Sequence, residues 1–374
     1  MKYYLQHIAL LLLMLSVSTC VDPFDFGFDQ DAEQNFVIEG YLTSIPGEHE
    51  IRVSRTTYIG EFNGVVADFV TNAKVAIVDD QGAEIPLTYD RTGIYVTGPN
   101  AVALPGRFYK VQVQLVNGRT YESSFEALSE DLAINNDIAF NLGSREVINE
   151  NNFIFEEEGV KITANVQKSA VNKYYRWELD HYFIIESDQG PGLTFQEQEG
   201  LENEELRYCF VKDYPFQDVH LLRDIANEAD VGQTYQIDLE FISIDNKFEY
   251  EFVVESKLLA LPERDYTFWS NVQSLADNTG SLFDAAPFEV IGNIREITGS
   301  AEEVAGLGFF GVYNAKIDRE FINPQDIGIS DPNVFPVCEV PASPGPPRPH
   351  PCQDCRLYEY LRNYENNPPD WWQY

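Results

Sequence analysis

Between Phe36 and Leu128 apolar residues recur at every second position, and turn-forming residues break the pattern every 8 to 12 residues. A period of two constrains the chain strongly, because only a strand sends successive side chains to opposite faces. Tyr109, Val111, Val113 and Leu115 alternate with polar residues, Asn117-Gly118 follows, and the pattern returns through Tyr121 and Phe125. Asn-Gly suits a type I′ turn, whose two central residues both need positive φ. A second hairpin is expected from Val75 and Ile77 through Asp80-Gln81-Gly82 to Ile85 and Leu87. Together with Phe36 to Leu42, Ile51 to Ile59 and Ile94 to Val96, residues 34–128 make six or seven strands. That count and spacing predict an immunoglobulin-like or transthyretin-like β-sandwich.

After a polar joint at Ser129 to Asn136, residues 129–335 read as a second β-rich domain. Its strands are expected at Val160 to Val166, at Tyr175 to Leu179 running into the continuously apolar Tyr182 to Ile185, and at Tyr235 to Ile244 and Phe248 to Val254. The last two are joined by Asp245-Asn246-Lys247, and Val290 to Ile294 with Gly306 to Ile317 supply the final strands. Gln196 to Glu205 holds five glutamates in ten residues without apolar period, which reads as a solvated loop. One helix is predicted near 262–277, opened by Pro262 and carrying Tyr266, Trp269 and Val272 at spacing three. Residues 336–374 form a proline, cysteine and aromatic tail; seven prolines in 336–352 keep that part extended. The expected fold is therefore mainly β, two β-sandwich domains, the second with one helix and a proline-rich C-terminal tail.

The N-terminus sets the compartment. Lys2 is the only charge before an apolar run from Leu5 to Val17, and Val17-Ser18-Thr19-Cys20 closes it, so residues 1–19 read as an export signal ending in a lipoprotein cleavage box. The run is short for a span of about 20 residues, and Cys20 offers a thiol for lipid attachment. Residues 20–33 then form an acidic tether. With Lys2 removed, 24 basic side chains face 61 acidic ones. Such a surface repels phosphate backbones and anionic headgroups, which argues against nucleic acid and against electrostatic membrane docking.

Four cysteines remain after Cys20: Cys209, Cys338, Cys352 and Cys355. An even count in an exported chain favours disulfides, and four cysteines leave three pairings open. A Cys352–Cys355 ring with Cys209–Cys338 is one; both tail cysteines reaching elsewhere is another. His350 beside Cys338, Cys352 and Cys355 supplies zinc-ligand types, but thiols outside the cytoplasm oxidise, and no metal or other cofactor is expected. The stretch Gly306-Leu307-Gly308-Phe309-Phe310-Gly311 fits a dinucleotide fingerprint in letters only, since no following helix offers its N-terminus to a pyrophosphate. Asp79 to Glu84 reads as a turn rather than a calcium loop. The chain has neither a G-x-S-x-G elbow nor H-E-x-x-H, and His49, His181, His220 and His350 lie scattered, so no catalytic residues are assigned and no enzyme is expected. The tail aromatics Tyr364, Trp371, Trp372 and Tyr374 could contact a partner or ligand, or dock back on the second domain.

In this order along the chain, Cys20-Val21-Asp22-Pro23-Phe24, Phe36-Val37-Ile38-Glu39-Gly40, Lys173-Tyr174-Tyr175-Arg176-Trp177, Gly280-Ser281-Leu282-Phe283-Asp284, Ile291-Gly292-Asn293-Ile294, Cys352-Gln353-Asp354-Cys355 and Pro369-Asp370-Trp371 resemble the Bacteroidetes lipoprotein family known as domain of unknown function 4249. Thr19 at the cleavage position and the long proline spacer before Cys352 depart from its pattern. The resemblance implies an outer-membrane lipoprotein, of a kind often encoded beside TonB-dependent receptors and without established activity, and the acidic residues directly after Cys20 resemble a Bacteroidetes surface-export signal, so cell-surface exposure is expected. The expectation is a non-enzymatic accessory binding subunit of such a β-barrel receptor or uptake system, held at the outer membrane by its lipid. A stand-alone surface module binding glycan or calcium is the alternative.

Overall fold

The computed structural model describes residues 35–56, 68–130, 135–149, 152–167, 174–186, 208–213, 220–223, 232–277, 290–298, 307–329, 355, 364–365 and 367–373. The signal and tether, the Gln196 to Glu205 loop and the proline-rich stretch lie outside the described residues.

Nine strands come first: β1 Phe36–Thr43, β2 Glu50–Arg55, β3 Asp68–Phe69, β4 Lys74–Asp79, β5 Glu84–Arg91, β6 Ile94–Val96, β7 Phe108–Gln114, β8 Thr120–Ser123 and β9 Glu126–Ala127. Then follow β10 Ile138–Ile148, β11 Ile154–Gln167, β12 Tyr174–Glu186, β13 Tyr208–Asp213, β14 His220–Arg223, β15 Thr234–Ser243 and β16 Phe252–Ala260. Helix α1 spans Glu263–Asp277, and β17 Ile294–Glu296, β18 Leu307–Tyr313, β19 Ala315–Ile322 and β20 Tyr364–Glu365 complete the chain. The protein is mainly β, as its periodicity predicts.

Eleven strands form the first sheet, in the order β17-β8-β7-β4-β5-β6-β2-β1-β18, with β3 on β2 and β9 on β7. Strand β5 changes partner midway: Glu84 to Leu87 pair with β4, and Thr88 to Arg91 pair with β6. The two halves it links share one core, with Ile38, Leu42, Ile51 and Val53 from one and Val75, Ile77, Val111, Val113 and Tyr121 from the other. Both predicted hairpins form, but the first turn is not type I′: Gly118 has positive φ and Asn117 does not, and Leu115 with Arg119 closes a three-residue loop ending in the glycine, while Gly82 takes positive φ in the second.

Strands β17 and β18, late in sequence, belong to this first sheet. Strand β18 lies parallel to β1, Val37 opposite Leu307 through Thr43 opposite Tyr313. Gly308 serves that contact. A Cβ on Gly308, whose φ is +100°, would stand 2.2 Å from the Ile38 carbonyl oxygen, and one on Gly311 would strike the Tyr313 ring. Asn293, just before β17, ties that strand to β18 with its side chain. Its Nδ2 donates to the Phe310 carbonyl (2.8 Å), and its Oδ1 accepts from the Phe310 N–H (2.9 Å). The amide thus stands in for a missing neighbouring strand and joins the two ends of the sheet.

The second core lies between a three-stranded sheet, β10-β11-β15, and a six-stranded sheet, β19-β16-β12-β13-β20 with β14 on β12. Val160, Ile162, Ala164 and Val166 of β11 meet Trp177, Leu179, Phe183, Val254 and Leu258 of β12 and β16. Strands β15 and β16 do not form a hairpin. Asp245 caps a 3-10 turn at Asn246–Phe248 by accepting from the Lys247 N–H, and that turn carries the chain from one sheet to the other. Helix α1 starts with Glu263 and Asp265 in its first turn, the acid placement that suits the helix dipole. Its Tyr266 and Trp269 pack with Leu259, Leu261, Tyr313 and Tyr41.

Candidate interaction surface

The three-stranded sheet is uneven. Strand β15 pairs with β11 only from Gly159 onward, whereas β10 and β11 stay paired out to Ile148 and Ile154. Residues 144–149 and 152–158 therefore form a two-stranded arm beyond the body of the sheet. Its turn is held by Asn149, whose Oδ1 accepts from the Phe153 N–H (3.0 Å) and whose N–H donates to the Phe153 carbonyl (3.0 Å), while Asn152 takes a φ of 60°. The tip is apolar and open to solvent: Ile148 is 65% exposed, Phe153 69% and Ile154 65%. An isolated hairpin is marginal in water, and a cluster of large apolar side chains at its end is costly to leave wet.

The two faces of the arm differ. On one, Arg145 pairs with Glu157 (2.8 Å), reaches Ser243 Oγ (3.3 Å) and lies 4.6 Å from the Phe241 ring centroid; further along, Lys161 pairs with Asp238 (2.7 Å). On the other, Glu146 stands directly opposite Glu156, and Ser144 opposite Glu158. All three glutamates are exposed, and none has an ion pair among the described residues. Like charges directly opposed across two strands are destabilising.

The aromatic tail takes a different place. Trp372 is 3% exposed, packs with Tyr182, Ile184 and Val253, and donates from Nε1 to Glu251 (2.7 Å). Trp371 stacks on it and carries the Arg319 guanidinium over its ring at 4.1 Å. This explains the unbroken apolar run of β12. Phe183 and Ile185 face the second core, while Tyr182 and Ile184 face the docked tail. Burial pushes the Tyr182 hydroxyl well above the usual phenol range despite the Lys212 charge. Tyr364 pairs through its backbone with Val211, and Tyr374 lies outside the described residues.

A Cys209–Cys355 disulfide clips the tail to β13. It was one of the pairings the spacing left open; Cys20, Cys338 and Cys352 lie outside the described residues. The seam between the first sheet and the rest is polar and paired. The Tyr41 hydroxyl donates to Glu178, Arg176 pairs with Glu178 (3.0 Å) and covers Trp269 at 4.0 Å, and Arg264 bridges Glu126 (2.5 Å) and Asp265 (3.0 Å). Burial raises the Asp265 carboxyl to about 6, against the pull of Arg264. These charges are paired with one another across strands, with Arg176, Glu178, Glu126 and Asp265 largely buried and Arg264 exposed, so the seam supports structure.

Of the remaining sequence candidates, Asp79 is a turn residue: its Oδ1 accepts from the Gln81 (2.9 Å) and Ala83 (2.8 Å) N–H groups, and Arg107 pairs with Asp79 and Asp80. His49 is buried between Thr43 and Gly47, and His181 meets Glu240 at 2.8 Å. No group of three or more His, Cys, Asp or Glu side chains is placed to hold a metal among the described residues. The arm escaped the periodicity reading because Glu156-Glu157-Glu158 breaks its alternation; the signal was the run Asn149 to Asn152 flanked by Val147-Ile148 and Phe153-Ile154-Phe155.

No curated protein matches the chain. The sequence profile described as Domain of unknown function (DUF4249) matches residues 21–319, from just past Cys20 through most of β19. That span takes in the first sheet with its late strands β17 and β18, the arm, and most of the second core, and the chain therefore belongs to the DUF4249 family.

Proposed function

We propose that the protein is a non-enzymatic lipoprotein, anchored at the outer membrane through Cys20 and displayed at the cell surface, that serves as an accessory binding subunit of a TonB-dependent receptor. In this reading two β-sandwich bodies form a rigid stand, and the tether at 20–33 keeps the stand at high effective concentration beside its partner. The observation that carries it is the arm formed by 144–149 and 152–158, a hairpin that no third strand flanks among the described residues, with an exposed apolar tip. A monomer gains nothing from such a tip, whereas a binding protein buries it on association.

A pull-down in mild detergent of the tagged protein from its own outer membrane tests the reading. The wild type should bring down a TonB-dependent receptor stoichiometrically, and an Ile148→Ser/Ile154→Ser pair should lose most of it. A wild-type protein that comes down alone refutes it.

A further inference from the structure

The unpaired face of the arm has a history that begins in the core. Side chains at even positions of β11, Val160, Ile162, Ala164 and Val166, point inward against the six-stranded sheet. By the alternation of a strand, Glu158, Glu156 and Ile154 continue that same face outward, opposite Ser144, Glu146 and Ile148. Inside the body this face has a second layer over it. Along the arm no described residue forms such a layer.

We infer that a protein partner supplies that missing layer, and that the partner surface is basic in its middle and apolar at both ends. The proposal rests on the binding-subunit reading above and names the chemistry of the partner. Leu142, 54% exposed, lies at the body end of the face, Ile148 with Ile154 at the tip, and Glu146, Glu156 and Glu158 between them. From Leu142 to Ile148 the strand runs roughly 20 Å, so the matching surface has two apolar patches that far apart with Lys or Arg side chains between. The arm's own basic residues cannot fill this role. Arg145 and Lys161 both belong to the opposite face and are paired there.

Charge also selects against other occupants. A second copy would set glutamates against glutamates, and it brings a formal charge of −36 with it. Anionic headgroups meet the same repulsion. A basic protein surface instead relieves the Glu146–Glu156 opposition on docking, so the feature that weakens the free arm strengthens the bound one.

The test uses the full-length protein in its own cells, with a photo-crosslinking amino acid at Ser144. The expected product is a crosslink to a β-barrel outer-membrane protein, at a peptide bearing Lys or Arg next to apolar residues. Glu146→Thr/Glu156→Thr should cut its yield about tenfold, the effect of losing about 1.4 kcal/mol of binding. The same variant should melt no lower than wild type, because Thr pairs well across strands, which separates lost recognition from lost folding. Crosslinks to lipopolysaccharide or to a second copy, or a yield indifferent to the double substitution, overturn the inference. If the receptor still co-purifies while the Ser144 crosslink is absent, this inference fails and the binding-subunit reading stands. If nothing co-purifies with wild type and no crosslink forms, both fall.

Discussion

Replacing Asn293 by alanine should weaken the first sheet far more than removal of one surface amide ordinarily would. The side chain satisfies the Phe310 N–H and carbonyl together, and its Nδ2 also donates to Glu126 Oε1 at 2.9 Å. Phe310 is fully buried, so water reaches its freed backbone groups poorly. Each unsatisfied backbone group costs roughly 1 to 3 kcal/mol, and partial rehydration at a half-buried position takes the pair toward the lower end, giving about 2 to 4 kcal/mol. Asn293→Asp sharpens the test. A carboxylate can still accept from the Phe310 N–H, but it loses both donated bonds and faces the Phe310 carbonyl and Glu126 with negative charge. It should therefore be at least as damaging as alanine at neutral pH. Urea unfolding monitored by tryptophan fluorescence gives the stability change, and hydrogen exchange at the Phe310 amide gives the local one. If Asn293→Ala costs under about 0.5 kcal/mol and the Phe310 amide stays protected, the amide is not standing in for a strand and the account of the sheet ends is wrong.

Four further outcomes follow from the structure. The Cys209–Cys355 bond closes a loop with a sequence separation of 146, so Cys209→Ala/Cys355→Ala should lower stability by about 3 to 5 kcal/mol in non-reducing denaturation; a loss under 1 kcal/mol, roughly, would mean the tail is held by packing alone. Trp372→Ala removes a buried indole and its bond to Glu251, for about 3 to 5 kcal/mol, and limited proteolysis should then cut the C-terminal tail first; an unchanged digestion pattern counts against the docked tail. Two buried groups tilt stability with pH in opposite senses. His49, lowered to about 4 by burial, contributes stability that is present above 6.5 and drains away as pH falls through about 4, and His49→Gln should remove that slope. Asp265, raised to about 6 from an ordinary 3.8, binds its proton more tightly when folded, so its favourable contribution is full below about 4 and is lost as pH rises through about 6; Asp265→Asn should flatten that limb, and parallel pH–stability curves for wild type and variant would refute the assignment.

Much of the strand content was legible because local rules wrote it. Tyr109 to Leu115 alternates cleanly, Asn117-Gly118 and Asp79 to Gly82 are turn chemistry, and Pro262 with Glu263 and Asp265 marks a helix start. Pairing across the chain was not legible. Leu307 to Tyr313 announces a buried strand by its apolar run, yet nothing in seven residues says that its neighbour is β1 rather than the strand next in sequence. The same holds for Asp245 to Lys247, where a turn signature serves a crossing between sheets, and for Cys209, whose partner only the fold selects. The arm was missed because three consecutive glutamates mask a two-residue period. Residues that face no core escape the pattern that packing would impose.

The parallel pairing of β1 with β18 also sets a clock. Ribosomes release Phe36 to Thr43 long before Leu307 to Tyr313. Throughout that interval β1 offers an open hydrogen-bonding edge, the kind of surface that recruits wrong partners. No N-terminal fragment can close it, so a nascent chain stopped short of residue 307 keeps a sticky margin, and quality control can read that margin as unfinished work. Completion of the first sheet thereby certifies that nearly the whole polypeptide has arrived.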